Sequence, residues 1–363
     1  MRKFFYLFTA AAVLLLSVES FGQMNRKSIK KNNRRISSFR GKKFHFGKEK
    51  RYNAIGFTLN ALNYYGDLAP KPSKFSTDIS FTRPALGLSF SHRFGPRYTV
   101  TAGLMYGTLR GSDAESANKA DTESGVFRYQ RNLSFRNRIE ELSVVATFDL
   151  FQNQATYISR VRWTPYLSAG IAVFHHNPQA QVPGTDLQGN PLPQAGKWVS
   201  LQPLGTEGQY SKLESTDANY GIKPYKLFQF AIPMALGVRF RLNEVMDLAA
   251  EIGFRYTFTD YLDDVSKNYV DLGVLNNDLA KAMSYRTGEL PQFAPNSGNP
   301  GLVSYTARDG KQYNVLAGYG EEFNVEGAGT NKRGNSKDKD IYMVTTFRLT
   351  YILGKTFHRA KFR

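Results

Sequence analysis

The chain has 363 residues, with 48 Lys and Arg against 30 Asp and Glu, a formal charge of +18 and no cysteine. The missing thiol excludes a disulfide framework, a thiolate metal site and a lipid anchor on cysteine. Aromatic residues make up 14% of the chain and there are 31 glycines, a composition that favours strands over helices.

Arg2 and Lys3 precede an apolar run from Phe4 to Val18, and Ser20 and Gly22 stand at −3 and −1 of a cleavage site before Gln23. This order predicts a secretory signal peptide over 1–22, too short to span a bilayer as a helix. Residues 23–51 form a basic, flexible periplasmic tail. Between Arg26 and Arg51 there are 12 Lys and Arg and one acid, Glu49, so the positive charge collects there, beginning with Arg26, Lys27, Lys30, Lys31, Arg34 and Arg35. Export argues against nucleic acid as a partner and for an anionic membrane surface or an acidic protein.

From Tyr52 to Gly354 the sequence alternates with period two. Eight strands are predicted near 53–65, 83–94, 97–110, 133–151, 161–174, 228–241, 246–259 and 341–353. In 246–259, Met246, Leu248, Ala250, Ile252, Phe254, Tyr256 and Phe258 share one face, and Asp247, Glu251, Arg255 and Thr257 share the other. The connections alternate: 66–82, the Gly95-Pro96 turn, 111–132, 152–160, 175–227, the turn 242–245, and 260–340. Long strands joined by short turns at one end and long loops at the other describe an eight-stranded up-and-down transmembrane antiparallel β-barrel, with long extracellular loops and short periplasmic turns. Its apolar faces meet outer-membrane lipid. A soluble periplasmic β domain would bury those faces instead and has no reason to keep its long loops at one end. Residues 355–363 then form a C-terminal periplasmic tail.

An eight-stranded barrel has just enough interior for its own side chains. The lumen-facing charges are Arg93, Glu141, Asp149, Arg162, Arg239, Asp247, Glu251, Arg255 and Arg348, and both signs are present, so the expectation is a plug of ion pairs rather than a pore. No chemistry-bearing motif stands out. Adjacent His175 and His176 face opposite sides of a strand and cannot chelate together. Gly354-Lys355-Thr356 lacks the glycine and helix of a phosphate loop. His92, His175 and Ser168 are the only catalytic candidates near strands, and no spacing recommends them. The reading is of a non-enzyme that needs no cofactor.

The stretch TDYLDDVSKNYVD, residues 259–271, opens the longest loop. Asp260, Asp263 and Asp264 with loop carbonyls offer hard oxygen ligands for calcium, although the Asp-x-Asp-x-Asp-Gly pattern is absent. The alternative is that these acids lie in solvent, cap a loop helix or pair with loops holding Lys197 or Arg286.

Six ordered segments, NYYGDLAP, RPALGLSFSHRF, RNLSFRN, QPLGTEGQ, QFAIPMALGVRF and YTFTDYLDDVSKNYVD, together resemble the PorG family of the Bacteroidetes type IX secretion system. The resemblance covers about residues 52–353 and leaves out the basic tail. It implies an outer-membrane barrel of the secretion and gliding machinery that ties periplasmic ring components, a ring lipoprotein among them, to the outer membrane, and it carries no catalytic residues. A small barrel for solute or lipid handling is the alternative.

Overall fold

The structure, a computed structural model, describes residues 46–47, 50–69, 79–121, 125–295, 297–317, 319, 333–337 and 339–354. The signal peptide, nearly all of the basic tail with its six named cations, and the segment 355–363 lie outside the described residues.

Eight long strands form the body: β1 (Tyr52–Tyr65), β2 (Arg83–Arg93), β3 (Tyr98–Ser112), β4 (Ser134–Asp149), β5 (Trp163–Gln181), β7 (Phe228–Arg241), β8 (Met246–Thr257) and β11 (Ile341–Leu353). Each pairs antiparallel with the next, and the ring closes because β1 pairs with β11 as well as with β2. Leu59, for example, sits between Leu86 on β2 and Phe347 on β11. Closure leaves no sheet edge, so every strand's backbone groups find partners within the ring. Tight turns join strands at one end. Phe94 N and Gly95 N both donate to Tyr98 O, and Leu242 N donates to Met246 O.

The alternation in the sequence becomes two walls. Ile171 is 69% exposed on the outside while its neighbour Ala172 is 1% exposed within. Leu88, Leu104, Leu236 and Phe347 likewise stand exposed on the outer wall, which is therefore an apolar surface of the kind that lipid covers. Rings gather near the short-turn end, with Phe94 stacked on Tyr98 at 6.0 Å and Phe151 edge-on to Trp163 at 5.0 Å. That is the amphipathic belt expected where hydrocarbon gives way to headgroups.

One departure from the sequence reading concerns the connection after the fifth strand. Strand β5 runs past Phe174 to Gln181, because its far end pairs with β4 (Arg136 opposite Gln179) and with a short strand β6 (Trp198–Ser200). The described residues of the long connections contain helices α1 (Asp113–Ser116), α2 (Gly125–Arg131) and α3 (Asp278–Ser284) and the hairpin β9 (Leu302–Thr306) to β10 (Gln312–Leu316). The helix α3 is capped by Asn277, whose side chain accepts from Ala280 N. Around these elements sit two satellite cores. One holds Tyr269, Leu272, Tyr285, Tyr313 and Tyr319; the other holds Ala180, Val182, Leu201 and Met283.

The lumen has an apolar half and a polar half. Towards the long-loop end, Leu62, Leu109, Phe135, Ile139, Phe174 and Val344 of the strands pack with loop residues Leu68, Leu133, Leu262 and Val265 in one core. Burying a side chain the size of Leu262 stabilises by about 1.5–3 kcal/mol, so this core seats the loops firmly on the barrel.

Replacing Ile171 by Arg should cost about 2–4 kcal/mol if the outer wall lies in hydrocarbon. Denaturant titration of the folded barrel in lipid vesicles measures this, and a cost near zero would place that wall in water.

Candidate functional site

Eight of the nine predicted lumen charges lie within the barrel. Arg93 Nη1 donates to Asp149 Oδ2 at 2.6 Å, and Arg239 donates to the other oxygen of the same carboxylate. Arg255 Nε reaches both oxygens of Glu141 at 3.2 and 3.1 Å, and Tyr342 Oη donates to Glu141 Oε2 at 2.7 Å. Arg348 pairs with Glu251, which also accepts from Tyr166 Oη at 3.0 Å. Gly237 makes room for this group, since a Cβ there would fall 2.7 Å from both Glu251 Cβ and the Tyr166 ring. Paired and hydrogen-bonded charges of this kind avoid the cost of burying a charge alone.

Arg162 is the exception. It precedes β5, which begins at Trp163, and its side chain is exposed beyond the barrel's end. Parity along the strand places it on the lumen face, but the strand stops one residue short. Arg160 takes the expected role instead, donating to Asp247 Oδ1 at 2.6 Å. It comes from the connection rather than a strand, so no alternation marks it. Between the charges two cavities remain, of about 70 and 30 Å³, lined by Thr58, Asn60, Thr101, Ser143 and the ion pairs. They have room for water molecules.

The second feature is the joint that seals the long-loop mouth. The acids of 259–271 are not in solvent: Asp260, Asp263 and Asp264 are 3%, 1% and 0% exposed. This overturns the expectation of a solvated loop. The segment folds into the mouth because Leu262 and Val265 enter the lumen core. Leu262 is fixed through its backbone, its N–H donating to Asp340 Oδ2 at 2.8 Å and its carbonyl accepting from Asn137 Nδ2 at 2.6 Å.

The three carboxylates turn to three different partners. Asp260 accepts from Ser266 Oγ at 2.6 Å. Asp263 Oδ2 lies 2.7 Å from Tyr64 Oη, which is also 2.9 Å from Asp340 Oδ1. Asp264 pairs with Arg333 at 3.3 Å and accepts from Thr206 Oγ1 at 2.5 Å and Tyr225 Oη at 2.7 Å. They therefore form no calcium site, and among the described residues no group of three or more metal-ligating side chains could hold an ion. The expected loop partners are also elsewhere: Arg286 pairs with Glu289 at 2.6 Å, and Lys197 is exposed.

Glu207 and Arg333 are the residues that sequence reasoning missed. Glu207 Oε1 accepts from Ser266 N at 2.9 Å, Lys267 N at 3.1 Å and Arg333 Nη1 at 3.1 Å. Arg333 also donates to Asp264 O, and both side chains are fully buried. The pair thus ties the connections 182–227 and 258–340 together. Glu207 lies in QPLGTEGQ, one of the segments carrying the resemblance, and Tyr64, Asn137 and Asp264 lie in three others. These segments are remote in sequence and meet at this joint.

A phenol has one hydrogen, so Tyr64 cannot donate to both Asp263 and Asp340; one contact needs a hydrogen from the carboxyl side. Burial raises both acids well above the carboxylate range, and neighbouring Asp67 and Asp260 add to it. Burial pushes Asp260 up to about 7, against the pull of Ser266 and Lys339, and pushes Asp67 up to about 6, against the pull of Arg131.

The histidine and serine candidates do not converge. His92 lies at the short-turn end with Nδ1 2.6 Å from Asn53 Oδ1. His175 faces outward against Phe228, and His176 is buried with Nε2 3.2 Å from Lys226 O. Ser168 Oγ is 3.5 Å from Ala235 O in mid-barrel.

Comparison with known proteins adds a family. The family model described as domain of unknown function (DUF6089) matches residues 44–190 and 206–280. No curated protein matches the chain. Among solved structures it is similar to Neisserial surface protein A, at 8% identity over 82% of this chain and 96% of that one, with a TM-score of 0.32. It is also similar to the outer membrane protein OprG of Pseudomonas aeruginosa, at 8% identity over 85% and 98%, TM-score 0.32. Ail, the attachment invasion locus protein of Yersinia pestis, gives 8% identity over 84% and 97%, TM-score 0.29. Likeness at this level says nothing of what the chain binds.

Removing one partner of a buried ion pair costs about 3–5 kcal/mol, so Arg333→Ala should unseat the loops without opening the barrel ring. Hydrogen exchange would then rise at the amides of 262–272 and not in β1–β4; equal rates in wild type and variant would contradict the role given to the pair. The raised carboxyls also fix a pH trend. The folded state holds protons that the unfolded chain releases near pH 4, so stability is full below that pH and falls as pH rises through about 6 and 7. Exchange protection of 260–267 should therefore be higher at pH 5 than at pH 8 once corrected for intrinsic rates.

Proposed function

The chain belongs to the DUF6089 family, and we propose that it is a non-enzymatic outer-membrane barrel that works as an anchor rather than a conduit. On this reading it docks periplasmic ring components of the type IX secretion and gliding machinery at the outer membrane. The observation that carries the anchor reading is the filled lumen. Ion pairs span its middle, Leu262 and Val265 fill one mouth, and the cavities between the ion pairs, about 70 and 30 Å³, are each far smaller than a ligand site requires. Small-molecule sites enclose roughly 300–1,000 Å³. The cavity of about 70 Å³ weighs against the alternative of solute or lipid handling.

On the anchor reading, the working parts of the molecule are its two ends. The short-turn end carries both the entry to β1 and the exit from β11, so the basic terminal segments begin there. Together with the six segments that resemble the PorG family, this favours docking from the periplasmic side.

Two measurements test the proposal. Purified protein in planar bilayers should show no steady ohmic conductance, whereas stable open-channel currents would overturn the anchor reading. Full-length protein drawn from mildly solubilised membranes should bring periplasmic ring components with it. Recovery of the barrel alone, with secretion intact in a deletion strain, would overturn the assignment to secretion.

A further inference from the structure

Charge is unevenly compensated along the lumen, and the surplus lies at the short-turn mouth. Asp149 is shared by Arg93 and Arg239, one carboxylate between two guanidiniums. Asp247 pairs with Arg160, whose remaining donors go to the carbonyls of Tyr157, Asn243 and Glu244. Arg241 stands opposite Asp247 in the ladder, yet its guanidinium donates to the carbonyls of Ile158 and Arg160 at 3.1 and 2.8 Å. Carbonyls satisfy hydrogen bonds without cancelling charge, so Arg241 remains a cation at the mouth. Arg162 adjoins it, since Arg162 O accepts from Arg241 N at 2.8 Å, and its side chain is exposed. Arg51 is exposed where the chain enters β1, and the only exposed acid on the β7–β8 turn is Glu244.

The arrangement also says where the complementary charge comes from. Arg239 and Arg241 alternate along β7 with Phe240 and Leu242, which are exposed on the lipid-facing wall. The guanidiniums therefore surround the barrel axis, away from the headgroups of the surrounding leaflet. The cavity behind them, about 30 Å³, admits a water and not an oxyanion. Arg241 with the exposed Arg162 and Arg51 fits an extended polyanion that approaches from the aqueous side.

We propose that the short-turn mouth is a docking surface for a carboxylate-rich segment of a partner protein. This rests on the docking reading above and adds the chemistry of the partner. The interaction is steered by a positive field, so it weakens with ionic strength.

The test uses the full chain in nanodiscs of zwitterionic lipid, with poly-glutamate as the probe and hydrogen exchange as the readout. Poly-glutamate should slow exchange at least threefold at 150–162 and 241–247. Arg162→Glu should abolish that protection. Replacing Arg26, Lys27, Lys30, Lys31, Arg34 and Arg35 with Gln should leave it in place, which separates the mouth from the tail. No protection at these turns, or protection unchanged in Arg162→Glu, overturns the proposal. So does a result in which Arg162→Glu changes retention of an anionic lipid but not the response to poly-glutamate.

Pull-downs at rising salt separate the two readings. Ring components that never accompany the wild type sink the secretion assignment and leave the peptide result standing. Components that accompany Arg162→Glu as well as wild type at every salt concentration sink the carboxylate-docking proposal alone.

Discussion

Closure of the backbone ring is the constraint from which the rest follows. In hydrocarbon an unpaired N–H or C=O has no water to turn to, so strands can stand in lipid only if the last pairs with the first. The pairing of β1 with β11 meets that demand. Once the ring has eight strands its interior is narrow, and each polar side chain turned inward must find a partner there. The ion pairs of Glu141, Asp149, Asp247 and Glu251 are therefore a consequence of closure before they are anything else. Because the same ring fixes which residues face in, a plugged barrel and an apolar outer wall arise together.

The sequence showed those parts of the fold that depend on period two. Residues such as Phe254 and Arg255 face opposite ways in any strand, so walls, lumen charges and strand count could be read directly. Arg162 failed because parity says which way a residue faces and not where the strand ends. Arg160 could not be found by parity at all, since it reaches Asp247 from an irregular connection. The acids of 259–271 failed for a different reason. Polar residues in a long connection between strands read as solvated unless something buries them, and what buries them is tertiary. Glu207, 57 positions before Asp264 in the chain, and Arg333, 69 positions after it in the same connection, close the joint around them. No local pattern announces contacts of that range. The one signal in the sequence was the resemblance, whose segments contain Tyr64, Asn137, Glu207 and Asp264, but a list of segments does not say that they meet.

The two mouths are built on different physics. At the long-loop end the seal is apolar, with Leu262 and Val265 in the lumen core, and the acids behind them tolerate burial by holding protons and accepting backbone N–H groups. Such a seal suits a boundary that is to stay closed. It also makes the long loops one body with the barrel rather than appendages, because their polar joint and their apolar anchors are the same residues' side chains and backbone.

At the short-turn end Arg241 donates to the carbonyls of Ile158 and Arg160, while Arg160 divides its donors between Asp247 and three carbonyls. A guanidinium bonded to carbonyls is fixed in place and keeps its charge. Had stability alone shaped this end, a carboxylate paired with Arg241 or Arg162 would lower the repulsion among neighbouring cations, yet Asp247, which stands opposite Arg241 in the ladder, pairs with Arg160. The mouth therefore presents Arg241, held by carbonyls, and the exposed Arg162 as cations that no carboxylate among the described residues cancels. On the anchor reading proposed above, one end is committed to the barrel body, and these cations are the part left free to recognise something else.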